Sequence, residues 1–225
     1  MEGINLFPLY LSFRVALTAT LFSLLIGLPA AYFLSRKRGK VVDLLDTFTN
    51  LPIVLPPTVL GYYLLVLLGR QSSIGKFLED NFDIMIVFTP TGAVIAAAVV
   101  SIPYMIKSSK TAFHEVSEDY LNAARLLGRG ELNIFCTIVV PIAWRGVAAG
   151  LTLSFVRALG DFGTTLMVSG SIPNKTMTMP IAIYDALQAG DKGMANILVL
   201  IMTTIAVVVL FTINSLERKM KKEVK

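Results

Sequence analysis

Four stretches of this chain run without a charged side chain for long enough to cross a bilayer: Val15 to Ser35, Thr47 to Gly69, Ile84 to Ile106 and Gly193 to Leu216. About 20 apolar residues span the hydrocarbon core as a helix. Lipid offers the backbone no hydrogen bonds, so such segments must satisfy their own. A further stretch, from about Leu132 to Gly170, is apolar apart from Arg145, Arg157 and Asp161. An all-α integral membrane protein of about five transmembrane helices is therefore predicted, as one domain over 1–225. The approximate span limits are 10–35, 47–69, 84–106, 134–168 and 194–216, with a loop over 107–133. A charged fraction of 16% and a mean hydropathy of +0.70 exclude an ordinary soluble domain, which carries about a quarter charged residues.

The first span is not expected to be a cleaved signal peptide. No basic region precedes its apolar core, and no small-residue cleavage site comes before "SRKRGK". Thirteen Lys and Arg fall on one side of the five spans: Arg36, Lys37, Arg38, Lys40, Lys107, Lys110, Arg125, Arg129, Arg218, Lys219, Lys221, Lys222 and Lys225. Five fall on the other: Arg14, Arg70, Lys76, Lys175 and Lys192. The positive-inside rule then places the N-terminus outside and the C-terminus in the cytoplasm. The basic excess is a membrane-orienting bias and calls for no nucleic acid. The single cysteine, Cys136, permits no intrachain disulfide and reads as a small buried apolar residue.

Small residues recur every fourth position in Ser23, Gly27 and Ala31, and again in Gly146, Gly150 and Ser154, a spacing that lets helix backbones approach closely. Such stripes serve either packing within the bundle or a dimer interface. Prolines at 29, 52, 56, 57, 103 and 141 each remove a helical hydrogen bond. Broken helices at membrane depth are tolerated where protein or a water-filled cavity takes over the freed carbonyls, which suggests a pathway.

In the longest loop, "SEDYLNAARLLG" (Ser117 to Gly128) has the signals of a short helix. Ser117 caps it, Glu118 and Asp119 complement its dipole, and Gly128 ends it in the left-handed conformation. Tyr120, Ala123 or Ala124, and Leu127 share a face. This is either a connector lying on the lipid surface or a docking helix for a soluble partner.

At these residues the chain resembles the ABC importer permeases, whose main cytoplasmic loop carries Glu-Ala-Ala, three residues, Gly, nine residues, Ile, one residue and Leu-Pro. Asn122, Ala123, Ala124, Gly128, Ile138 and Pro141 match that spacing, with Asn122 in place of Glu and Val140 in place of Leu. "LPIVLPPTVLGYYLLVLLGRQSSIG" (Leu51 to Gly75), "RALGDFG" (Arg157 to Gly163) and "SIPNKTMTMPIAIY" (Ser171 to Tyr184) are similar to the molybdate permease branch.

The resemblance implies a type I ABC importer permease fold and a homodimer with a central path. It also implies an ABC ATPase subunit seated on the loop and an extracytoplasmic substrate-binding protein that delivers the oxyanion. The coupling residues would be Tyr120, Leu121, Asn122, Ala123, Ala124, Leu127 and Gly128. Replacing Ala124 with Arg is expected to wedge the docking helix from its cleft and uncouple hydrolysis from uptake. The chain has no GxxxxGK[ST] phosphate loop, so ATP and Mg²⁺ are expected on the partner ATPase and no cofactor in this chain. A prokaryotic plasma membrane is the implied location.

Arg157 and Asp161, four residues apart, share a helical face and can pair. They either stitch the bundle or, with Pro56, Pro57 and Thr58, line the path or its gate. Thr58, Tyr62 and Tyr63 offer hydroxyls to a passing anion, although tyrosines also anchor helices at the membrane interface. Tungstate and sulfate import are the neighbouring alternatives. An ion-coupled secondary transporter is a more distant one, with Asp161 as its one candidate buried carboxylate.

Overall fold

The computed structural model describes residues 5–222, which form helices joined by short connections. The first helix, α1, covers Phe7–Arg36; α2 and α3 are Lys40–Val54 and Pro57–Leu68; α4 is Ser73–Phe82; and α5 is Pro90–His114. Then follow α6 (Glu118–Leu126), α7 (Glu131–Ile142), α8 (Trp144–Leu159), α9 (Gly163–Ser169), α10 (Met179–Gln188) and α11 (Lys192–Lys222).

Three of these are long and apolar enough to cross a membrane unaided: α1, α5 and the 21 residues Lys192–Thr212 of α11. The second and fourth expected spans are broken rather than continuous. The α2–α3 pair bends by 114°, and the α7–α8 pair by 82°. Pro56 and Pro57 cause the first bend. Leu55 and Pro56 sit in extended backbone, and Pro57 opens α3 at a position where its missing N–H costs nothing. The stretch expected as 134–168 breaks a second time between Leu159 and Gly163.

Pro29, Pro52, Pro103 and Pro141 sit within helix rather than at a break, although the 82° bend follows two residues after Pro141. Pro103 lies inside α5 without interrupting it; α5 is the central helix, packed on α1, α2, α8 and α9. Pro29 and Pro141 each stand two residues after a π-helical turn, Ser23–Gly27 and Phe135–Val139. The wider turn makes room for a ring that would otherwise collide with the carbonyl four residues back. Cys136 lies on the outer side of the second π turn and is exposed, not buried as expected; Ile134 and Val139 are the side chains that turn inward there.

Both small-residue stripes are used within the chain, packed against α5. Ser23 Oγ meets Ser101 Oγ at 2.9 Å, and Ser154 Oγ donates to the Ser101 carbonyl at 3.1 Å. Gly27 and Gly150 both face Met105. Closest within the two stripes is Gly146, where an added Cβ would lie 2.2 Å from the Ala112 Cβ. Gly146→Val is therefore predicted to destabilise the protein by about 1–3 kcal/mol through overpacking. An unchanged melting temperature in detergent would contradict the close α5–α8 approach.

The two largest buried clusters among the described residues divide along α5. One cluster, around Leu11, Val15, Ala16, Ala93 and Ala97, lies toward the Pro90 end. The other, around Leu34, Met105, Phe113, Val116, Leu121 and Ile134, lies toward the His114 end. Arg36, Lys110 and Arg125 gather at the His114 end, and Arg70 sits beside Ile86 and Val87 at the opposite one. Lys225, counted above among the basic residues, lies outside the described residues.

Candidate functional site

At the His114 end, α6 forms for the local reasons its sequence gives. The Asp119 N–H donates to Ser117 Oγ at 3.2 Å, and Glu118 and Asp119 occupy the first turn. Gly128 adopts φ +77°, and the Arg129 N–H reaches back to the Ala124 carbonyl at 3.1 Å, which closes the helix C-terminus.

The seven residues expected to couple divide between two faces. Tyr120 and Leu127 are 60% and 80% exposed, and Asn122, Ala123 and Gly128 are also open to the outside. Leu121 and Ala124 are buried against the cluster that contains Phe113, Val116 and Ile134. Of the two alanines, Ala123 therefore shares the outer face with Tyr120 and Leu127. Ala124 holds α6 to its own bundle, so an arginine there would disrupt this chain before it met any partner. The expectation attached to Ala124→Arg is corrected accordingly: Ala123 is the position that probes the outer face.

Charged residues that the sequence reading did not connect hold α6 in place. Arg36 Nη1 donates to Glu118 Oε1 at 2.7 Å, and its Nη2 to the Phe113 carbonyl at 2.8 Å. Arg125 donates through Nε to Glu131 Oε1 at 2.7 Å and through Nη1 to Asn122 Oδ1 at 2.9 Å. The Tyr32 hydroxyl donates to Glu131 Oε2 at 2.9 Å. The Glu131 hydrogen bond raises the Arg125 pKa above its already high ordinary value, so the cation persists. Asn122, the departure from the loop pattern, thus has its side-chain oxygen turned toward Arg125 along the helix.

The second set of predicted residues meets at the break between α8 and α9. Arg157 Nη1 pairs with Asp161 Oδ1 at 3.1 Å, as the spacing predicts. Asp161 does more than pair: its Oδ2 accepts from both the N–H and the hydroxyl of Thr165, at 2.9 and 2.7 Å. It thereby satisfies a donor at the start of α9. Thr165 went unnoticed in sequence, although a hydroxyl four residues beyond an embedded carboxylate is the available signal. The Asp161 side chain is 1% exposed and that of Arg157 25%.

The double-proline bend lies against this break. A Cβ on Gly163 would stand 2.9 Å from Pro57 Cβ, and one on Gly61 would stand 2.6 Å from Met167 Cβ. Pro56, Pro57, Thr58, Tyr62 and Tyr63 are all exposed on α3 or just before it. Two interrupted helices thus meet here, and the partly exposed Arg157 guanidinium stands on the second of them.

A family model described as the binding-protein-dependent transport system inner membrane component matches residues 23–222. The chain belongs to this family. A putative molybdenum transport system permease protein of Bacillus subtilis (strain 168) is 41% identical over 207 residues, covering 92% of this chain and 91% of that protein. The molybdenum transport system permease protein of Escherichia coli (strain K12) is 41% identical over 192 residues, covering 84% of each. The fold is that of type I ABC importer permeases. It superposes on a chain of the inward-facing MetNI methionine ABC transporter with a TM-score of 0.74 at 15% identity, covering 96% of this chain and 95% of that one. A bacterial ABC transporter involved in import of the acidic polysaccharide alginate gives 0.72 at 15% identity, over 93% and 79%.

Proposed function

We propose that this chain is the membrane permease of an ATP-driven molybdate importer. The observation that carries the reading is the 41% identity, over almost the whole chain, to permeases of molybdenum transport. Two copies form the path, with the Arg36 end of each in the cytoplasm and the N-terminus outside. An ABC ATPase that binds ATP and Mg²⁺ docks on α6 through Tyr120, Ala123 and Leu127, and an extracytoplasmic binding protein delivers the oxyanion. Closure of the ATPases moves the docking helices together and shifts the path between its two states, which is alternating access by population shift.

Arg157, with Pro56, Pro57 and Thr58, lines the path or its gate. An unpaired arginine inside the membrane would hold a divalent anion too tightly to release it, because conduction requires binding weak enough to leave. Pairing with Asp161 lowers that attraction while the guanidinium stays partly open. Choice among tetrahedral oxyanions then falls mainly to the binding protein.

The test is complementation. Cells that lack their own molybdate permease, given this chain with its ATPase and binding protein, are expected to regain molybdate uptake and molybdoenzyme activity. Restored sulfate uptake with no gain in molybdate would overturn the substrate, and no ATP-dependent uptake of any oxyanion would overturn the reading.

A further inference from the structure

We infer that Arg36 and Tyr32, one turn apart at the end of α1, are positioning residues that clamp both ends of α6, so that movement of α6 reaches α1 and α5 as one body. This rests on reading α6 as the helix on which the ATPase docks. A loop joined to the bundle only through its two connections would absorb a push by bending. The contacts around α6 work against that.

Arg36 stands at the first end. Its side chain is 12% exposed. One planar guanidinium reaches Glu118 in the first turn of α6 and the Phe113 carbonyl at the end of α5, with longer contacts of 3.4 and 3.5 Å to the Val116 carbonyl. The last carbonyls of a helix have no donor of their own. Arginine, with five N–H groups in a fixed fork, can serve them and a carboxylate together, which a lysine ammonium cannot do in the same geometry.

Tyr32 stands at the other end. Its hydroxyl holds Glu131, which holds Arg125 in the last turn of α6. Arg125 also lies 3.8 Å from Glu118. The contacts therefore form a closed ring that leaves α1 at Arg36, runs along α6 and returns to α1 at Tyr32. Beneath it the rings of Tyr32, Phe113 and Phe135 pack at centroid distances of 4.9 to 6.2 Å. Leu121 and Ala124 fill the remaining space. The ring includes no residue of α2, which has no buried residue.

The test is the ratio of oxyanion transported to ATP hydrolysed, measured in liposomes that contain the full transporter. Arg36→Met is expected to retain the ATPase and to hydrolyse ATP, while transport per ATP falls by about tenfold, within the range of ordinary coupling energies. Arg36→Lys should recover only part of that loss. Tyr32→Phe, which keeps the aromatic packing, should cause a smaller loss of the same kind. Reversing Arg125 or Glu131 alone should also lower the ratio, and the double variant R125E/E131R, which rebuilds that ion pair but not the contact of Arg125 with Glu118, should restore part of it, which a loss of folding would not allow.

An unchanged ratio in Arg36→Met overturns the clamp while leaving docking intact. If Arg36→Met does not accumulate, Tyr32→Phe and the charge-reversal pair decide: unchanged ratios in both overturn it. Failure of the unaltered chain to retain the ATPase overturns the docking reading itself, and the clamp with it.

Discussion

Ala123→Arg leaves the bundle folded and abolishes uptake. The residue is exposed on the outer face of α6, between Tyr120 and Leu127 in the helical register, and none of the described residues covers it. With the ATPase docked on α6 as proposed, a long cation in the middle of that outer face would remove close packing there. Central interface positions of this kind commonly lose about 2 kcal/mol or more, some 30-fold in affinity. The variant should therefore reach the membrane with its normal melting temperature, lose the ATPase on purification and show no ATP-driven uptake. Ala124→Arg should behave differently, with poor accumulation and a lowered melting temperature, because Ala124 is buried on the inner face. Normal uptake in Ala123→Arg would remove α6 as the docking element.

Asp161→Ala carries the largest expected cost in stability. Its carboxylate accepts three hydrogen bonds, from Arg157, the Thr165 N–H and the Thr165 hydroxyl. Removing it leaves a cation in the span without its partner and a donor at the start of α9 unsatisfied. Breaking a buried pair in this way costs about 3 kcal/mol. For a chain of this size that is about 6–12 °C in melting temperature. Asp161→Asn keeps an acceptor for Thr165 and should fall between the two. A melting temperature unchanged in Asp161→Ala would mean that the pair does not hold the α8–α9 break.

Much of this was legible from local pattern. Apolar length alone located α1, α5 and α11, and Ser117 with Gly128 bracketed α6 because capping is decided within a few residues. The Arg157–Asp161 pair followed from its spacing of four. The bends of 114° and 82° were not readable as magnitudes, since proline permits a range of outcomes and packing selects one: Pro103 leaves its crowded central helix continuous, while Pro56 and Pro57 stand where the chain turns. The inward face of α6 was also hidden. Its sequence offers two adjacent alanines, and the choice of Ala124 depends on Phe113, Val116 and Ile134 arriving from other elements. The ring through Arg36 and Glu118 joins residues 82 apart, a juxtaposition that no short motif encodes.

The most direct test of the central claim is ATP hydrolysis in liposomes that contain this chain and its ATPase, with the binding protein added after loading with molybdate, tungstate or sulfate in turn. The account predicts that the molybdate-loaded protein stimulates hydrolysis above the unloaded one, with molybdate accumulating inside the vesicles. Stimulation by sulfate alone, or by none of the three while the ATPase remains bound, would contradict it.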